Sequence, residues 1–289
     1  MAENVVLSRP EFVREVVADA YGVVEKPLTR WEKLYHNGAL RKAVLLALLA
    51  AAWQIYATAL NNPLLFPKFS ETFAAFYAGI VDGVLLTRAG FSIKVLLQGY
   101  VIGLALAALL TALAITSRIG NDLLETLTSM FNPLPAIALL PLALIWFGLG
   151  NASLVFVLVH SVLWAVALNT HSGFLSVSQT MRMVGRNYGL SGPRYVAQIL
   201  MPAAFPSILT GMKIGWAFAW RTLIAAELVF GVSSGTGGLG WFIYENKNQL
   251  EIANVFAGLF SVIIIGLIVE NLVFQTVEKR TVRRWGMQS

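Results

Sequence analysis

The sequence predicts an all-α membrane protein: about six transmembrane helices, an N-terminal amphipathic helix lying on the membrane surface, and a short helix in a central loop. Three observations predict it. Mean hydropathy is +0.70, with 57% hydrophobic and 12% charged residues, whereas soluble domains carry roughly a quarter charged residues. Six apolar runs each come near the ~20 residues that cross the hydrocarbon core. Lys and Arg fall almost entirely on one side of those runs.

Residues 1–40 read as a cytoplasmic amphipathic segment. Phe12, Val13, Val16, Val17 and Tyr21 recur at helical spacing among Arg9, Arg14 and Lys26, which suits a helix on an anionic leaflet better than a solvated tail. Residues 41–276 form the transmembrane domain, with spans at 41–60, 93–115, 123–147, 154–170, 203–229 and 255–273. Between the first two, 70–86 alternates apolar and polar positions and reads as a helix along the outer surface. Residues 277–289 make a basic cytoplasmic tail.

Charge sets the orientation. Fifteen Lys and Arg lie in residues 1–42, the 116–122 loop, the central loop and the C-terminal tail, against three on the other side, Lys68, Arg88 and Lys247. Both termini and the central loop are therefore expected in the cytoplasm, and the pI near 9.7 reports topology and not nucleic-acid binding.

The third span carries Pro133, Pro135 and Pro141. Each removes a backbone donor, and such a break is tolerated in lipid only beside other helices or a wet cavity. Asn132, Pro133, Pro135 and Trp146 are thus candidates to line a pathway. From the fifth span, Trp216, Trp220, Arg221 and Glu227 join them. Arg221 is the costliest residue to place in lipid, at about 2.5–3.5 kcal/mol, so it must face protein or water. Six helical positions separate it from Glu227, about 9 Å of rise, so the two cannot pair within one helix. Gly99 with Gly103, and Gly211 with Gly215, supply the small-residue spacing that lets helices approach closely.

The central loop, about 174–202, is polar, basic and Gly-bearing. Residues 180–190 form a short helix stopped by Gly189 in a left-handed cap, and Ser191-Gly192-Pro193 starts the next segment. Gly189, nine residues, Ile199, one residue, Met201-Pro202 resembles the Gly-x9-Ile-x-Leu-Pro core of the cytoplasmic loop in permease subunits of type I ATP-binding-cassette importers. The acidic-Ala-Ala triplet that the family places six residues before the Gly reads Met183-Val184-Gly185 here. Asn132-Pro-Leu-Pro-Ala, Leu140-Pro-Leu, Trp146-Phe-Gly-Leu-Gly, Leu168-Asn-Thr, Leu209-Thr-Gly, Ala226-Glu227 and SSGTGGLG at 233–240 are similar, in order and spacing, to the nitrate, sulfonate, taurine and bicarbonate branch. The resemblance implies a permease homodimer, two cytoplasmic ATPase subunits that hold ATP and Mg, and a periplasmic or lipid-anchored solute-binding protein, in a bacterial inner membrane. It implies a coupling helix, with Met181, Arg182 and Met183, then Arg186, Asn187, Tyr188 and Gly189, facing the ATPase.

Other functions lack their residues. With no Cys there is no disulfide or thiolate chemistry, and His36, His160 and His171 are too scattered in sequence for a metal site. The Gly-rich 231–240 stretch has no Walker Lys, so the chain itself is expected not to hydrolyse ATP; it reads as a flexible outer gate or docking loop. His160 and Ser161 are adjacent and point about 100° apart on a helix, which reads as inter-helical hydrogen bonding and not as a nucleophile with its base. The first forty residues show no signal peptide. A stand-alone secondary transporter or channel for a small anion is the alternative, but such carriers repeat their broken helices in both halves.

Overall fold

The computed structural model describes residues 36–230, 237–284 and 286. The N-terminal amphipathic helix and residues 231–236 of the Gly-rich loop lie outside the described residues. Among the described residues all regular structure is helical. The chain divides into two units, Met1–Ala51 and Ala52–Ser289; the first contributes the N-terminal half of helix α1, Gly38–Leu60.

In the second unit α2, Phe69–Val81, is the helix expected at 70–86, but it stops earlier than the alternation implies. Gly83, at φ +75°, turns the chain, and α3 begins at Val84 and runs unbroken to Thr116. The third expected span is two helices: α4, Arg118–Phe131, and α5, Leu140–Phe147, joined by a 3₁₀ turn at Ala136–Leu139 and bent by 87°. Then come α6, Asn151–Leu175, the loop helix α7, Gln179–Asn187, and the short α8, Gly192–Tyr195. Among the described residues five helices are long and apolar enough to cross a membrane, and the bent pair makes a sixth if it is one span.

The fifth span reaches further than its prolines indicate. Gly192–Val229 is continuous: a π turn at Val196–Leu200 leads from α8 into α9, Met201–Phe230. Pro202 follows the π turn, so its missing donor falls where the hydrogen-bond register is already shifted. A helix the sequence reading did not contain, α10, Leu239–Asn248, follows the Gly-rich loop. Next, α11, Ile252–Ile268, passes through a second π segment, Val269–Phe274, into α12, Gln275–Arg280. The tail after it folds back. Val282 is buried with Leu209 and Phe274, and Lys213 of α9 pairs with Glu278 at 2.6 Å.

Helix α6 is the post of this unit, with over half of its most apolar stretch buried. Its most extensive contacts are with α9 and α3. Glycine makes both possible. A Cβ at Gly99 would lie 2.5 Å from Leu158 Cβ, and one at Gly103 2.7 Å from Val162 Cβ. On the α9 side, a Cβ at Gly211 would meet Asn169 Cβ at 2.8 Å and one at Gly215 would meet Val166 Cγ2 at 3.0 Å. Neither pair leaves space for a methyl group.

Gly99→Ala should therefore destabilise the protein by about 1–3 kcal/mol, the usual cost of overpacking. Gly90→Ala, on the same helix with nothing within 4 Å of the added carbon, should raise stability by about 0.5–1 kcal/mol through helix propensity. Thermal unfolding of the purified protein in detergent separates the two, and equal midpoints would contradict the packing described.

Candidate functional site

At the break between α4 and α5 the chain opens a cavity of about 330 Å³. The break is built to cost few donors. Pro133 and Pro135 have no N–H, while the Asn132 and Leu134 N–H groups donate to Thr128 O at 3.0 Å and Phe131 O at 3.1 Å. Asn132, Pro133 and Pro135 form one wall; His160, Ser161 and Trp164 of α6 form the second; Phe218, Arg221 and Thr222 of α9 form the third. The prolines of the third span and the arginine of the fifth thus meet at one place.

Arg221 is exposed, donates from Nε to Ala217 O at 3.0 Å, and sets its guanidinium 5.2 Å from the Phe218 ring centre. No carboxylate lies within ion-pair distance of it among the described residues. The α6 and α9 walls are stitched together beside it, where Ser161 and Thr222 hydroxyls lie 3.1 Å apart.

Four candidates lie elsewhere, for reasons of helix rotation. Trp220 is buried and donates to Val262 O of α11 at 3.2 Å. Trp216 packs edge-on to Tyr100 and Phe274 in the interior. Trp146 is exposed at the end of α5, against Phe147 and Phe156. Glu227 is buried and clasps the start of α10: it accepts from Gly240 N at 2.8 Å and from Ser92, whose hydroxyl in turn accepts from Leu239 N at 2.9 Å. A Cβ at Gly238 or Gly240 would lie within 2.5 Å of that carboxylate side chain, so these two glycines serve the approach. Arg88 completes it, donating to Gly237 O at 3.0 Å and pairing with Glu245 at 3.1 Å.

From the Arg221 cavity a groove runs along α4 and α6 toward α7. A second cavity, about 400 Å³, shares Asn132 and Pro133 with the first; a third, about 480 Å³, shares His171 with the second and reaches Arg182. Their α4 wall is polar: Asn121, Asp122, Glu125, Thr128 and Ser129. Among the described residues no cluster of His, Asp or Glu has the makings of a metal site.

The loop helix is shorter than 180–190 and more firmly seated. Ser178 Oγ caps it by accepting from Met181 N at 3.3 Å, and Gly189 at φ +71° ends it, with Leu190 N donating to Gly185 O at 3.1 Å. Gly185, from the divergent Met183-Val184-Gly185 triplet, is buried against α8 and the π turn, where a Cβ would sit 2.8 Å from Ile199 Cγ1 and from the Tyr195 ring. Met181, Met183, Arg186, Asn187 and Tyr188 are exposed. Arg182 is not available with them: its guanidinium donates to Phe174 O at 2.6 Å and Val177 O at 3.1 Å, closing the C-terminus of α6.

The sequence reading missed Trp164, Thr222 and Phe218 as cavity residues, and it took His160 for an inter-helical hydrogen-bonding group, whereas both its ring nitrogens are without a partner. The available signal was a polar side chain near the middle of an apolar span. Replacing Arg182 by Ala should cost about 2 kcal/mol, the range for hydrogen bonds from a charged donor, whereas Arg186→Ala should change stability by less than about 0.5 kcal/mol. Thermal unfolding of the two variants checks this, and an equally stable Arg182 variant would contradict the cap.

Residues 99–286 match the family described as the binding-protein-dependent transport system inner membrane component. A relative from Methanocaldococcus jannaschii, an ABC transporter permease protein by name, is 30% identical over 233 residues, 79% of this chain and 86% of its own. The nitrate import permease protein of a Synechocystis species is 30% identical over 256 residues, 83% of this chain and 88% of its own. The taurine transport system permease protein of Escherichia coli is 28% identical over 254 residues, with the same two shares, 83% and 88%. With most of its length matched and its broken third span, loop helix and apolar spans in that order, the chain belongs to the inner-membrane permease components of binding-protein-dependent ATP-binding-cassette transport systems.

Proposed function

We propose that this permease subunit, as a homodimer, takes a small anion of the sulfonate, nitrate, bicarbonate or carboxylate type from a solute-binding protein and passes it inward through the Arg221 cavity. Two ATPase subunits, holding ATP and Mg, dock on α7 and drive the step; both termini and α7 lie in the cytoplasm of a bacterial inner membrane. The observation that carries the reading is the meeting of Arg221 with the proline break in one cavity from which a polar groove leads to the loop helix. A guanidinium binds planar or tetrahedral oxyanions through paired hydrogen bonds. It is also present without a carboxylate to neutralise it, and a permanent positive charge at membrane depth favours anions over cations. Relatives named for nitrate and taurine handle substrates that present such a group.

The test uses the permease reconstituted with its ATPase and binding proteins, after the ligand retained by the binding protein has been identified. Arg221→Gln should lower uptake about tenfold or more while the complex still assembles, and Arg221→Lys should recover part of it, because Lys keeps charge without the paired geometry. Unchanged uptake in the Gln variant would remove the pathway role. For the docking surface, Tyr188, 81% exposed, should lose partner contact on truncation: Tyr188→Ala should weaken co-purification of the ATPase and stimulated hydrolysis about fivefold or more, as a large aromatic at an interface does. Normal hydrolysis and retention would place the ATPase elsewhere.

A further inference from the structure

Nine buried side-chain polar atoms have no hydrogen-bond partner among the described residues, and three of them, Nδ1 and Nε2 of His160 and Nε1 of Trp164, belong to two residues that line the Arg221 cavity. This is not general to the cavity wall. The neighbouring hydroxyl of Ser161 bonds Val157 O at 3.2 Å and faces Thr222 at 3.1 Å. Buried polar groups in native proteins are usually paired with protein, water or ligand, and whereas the other six unpartnered atoms stand on six different residues, these three share two neighbouring rings on one cavity wall.

Both rings are held in position. His160 and Trp164 stand four residues apart, one above the other on α6. Phe131 of α4 stacks on Trp164, with centroids 5.4 Å apart and planes at 12°, and meets His160 edge-on at 6.4 Å; the two rings touch each other edge-on at 6.1 Å. Across the cavity the terminal nitrogens of Arg221 make no hydrogen bond among the described residues, since only Nε is used, by Ala217 O. Half of the cavity lining is apolar, and its polar part consists of N–H and O–H donors and one amide, Asn132, with no carboxylate. That composition suits an acceptor-rich ligand and repels a cation.

We propose that His160 and Trp164 are ligand-contacting residues of an oxyanion site: Trp164 Nε1–H and one ring N–H of His160 donate to oxygens of a compact monoanion whose charge faces Arg221. The second His160 nitrogen accepts from water, or from the O–H of hydrogen carbonate when that is the ligand. The proposal rests on the cavity lying on the anion pathway, as described under the proposed function. Few donors around a cavity of about 330 Å³, larger than such an anion, make a weak site that an ion can leave, as conduction requires.

The chain has no Cys, so Leu134→Cys on the cavity wall gives a single reporter thiol. In the purified permease–ATPase complex its reaction with a water-soluble methanethiosulfonate reagent is measured against nitrate, methanesulfonate and hydrogen carbonate in turn, with gluconate holding ionic strength. At least one of the three should slow labelling. Trp164→Phe, which keeps the stack on Phe131, and His160→Phe should each raise the half-protecting concentration about fivefold or more, the effect of one lost neutral hydrogen bond. His160→Asn, which restores an N–H, should recover part of the protection; a merely structural histidine would not be rescued this way. If Arg221→Gln abolishes protection while Trp164→Phe and His160→Phe leave it unchanged, the ring nitrogens bind only water and this proposal fails while the pathway reading stands. If Arg221→Gln leaves protection intact, the pathway reading itself fails. Absence of protection by all three anions in the Leu134→Cys complex would overturn the oxyanion site.

Discussion

Hydrocarbon offers no hydrogen-bond partner, so a backbone that leaves helical geometry within a membrane must do so inside protein or beside water. The 87° break between α4 and α5 obeys that constraint in two ways. Proline at 133 and 135 deletes two donors, and the donors at 132 and 134 are taken up by the last turn of α4. What remains is space: a chain that turns aside where a straight helix would have continued leaves a cavity, and α6 and α9 enclose it. Arg221 sits there for the same reason that the break does. A guanidinium at that depth needs the polar surroundings that a broken helix supplies.

The enclosing helices can do this because they are packed tightly on the opposite side. Leu158, Val162, Val166 and Asn169 of α6 meet the glycines of α3 and α9, while His160, Trp164, Leu168, His171 and Leu175 line the cavities. Both series follow helical spacing, and two residues along an α-helix turn by about 200°, so they occupy opposing faces. One face of α6 is therefore fixed by close backbone approach. The other meets α4 across a groove with few contacts. Helix α4 is held from its other side, where Leu124 is buried with Ala107 and Ala114 of α3, so the groove is a gap between α4 and α6 alone, inside an otherwise packed bundle.

The features legible in the sequence were those that depend on one segment alone. Apolar length located the spans, the prolines located the break, the left-handed turn at Gly189 followed from its lack of a Cβ, and Arg221 was marked by its cost in lipid. What was not legible depends on how helices are rotated against each other. Trp216 and Trp220 are as aromatic as Trp164, but the contact of Gly211 and Gly215 with α6 turns them toward α3 and α11 and leaves Arg221 and Thr222 on the cavity. Glu227 looked like a partner for a pathway because its own partners, Ser92 and the amide of Gly240, lie 135 and 13 residues away. Arg182 looked free because the carbonyls it caps belong to the preceding helix. Helix α10 escaped notice for a related reason: ten residues of mixed polarity after a Gly-rich run carry no span signal, and its start is held by a carboxylate and a hydroxyl from elsewhere.

The seat of α7 gives the distance between loop and cavity a mechanical meaning. Arg182 ties the helix to the last carbonyls of α6, and Gly185 lets it press on Tyr195 and Ile199, at the start of the continuous helix that becomes α9. These are the two helices whose middle portions, at Trp164 and at Arg221, form facing walls of the cavity. From Trp164 to Phe174 is ten residues of helix, about 15 Å at the α-helical rise. The exposed Met181, Met183 and Tyr188 thus stand on a helix anchored to α6 and to the start of α9 together. The two helices are locked together by glycine contacts on one face, while on the other α6 faces α4 across the groove. The divergent triplet fits the same logic. With Gly185 in place of a residue bearing a Cβ, α7 lies closer to α8 and the π turn, so its hold on the fifth span is made by backbone approach and not by an acidic side chain.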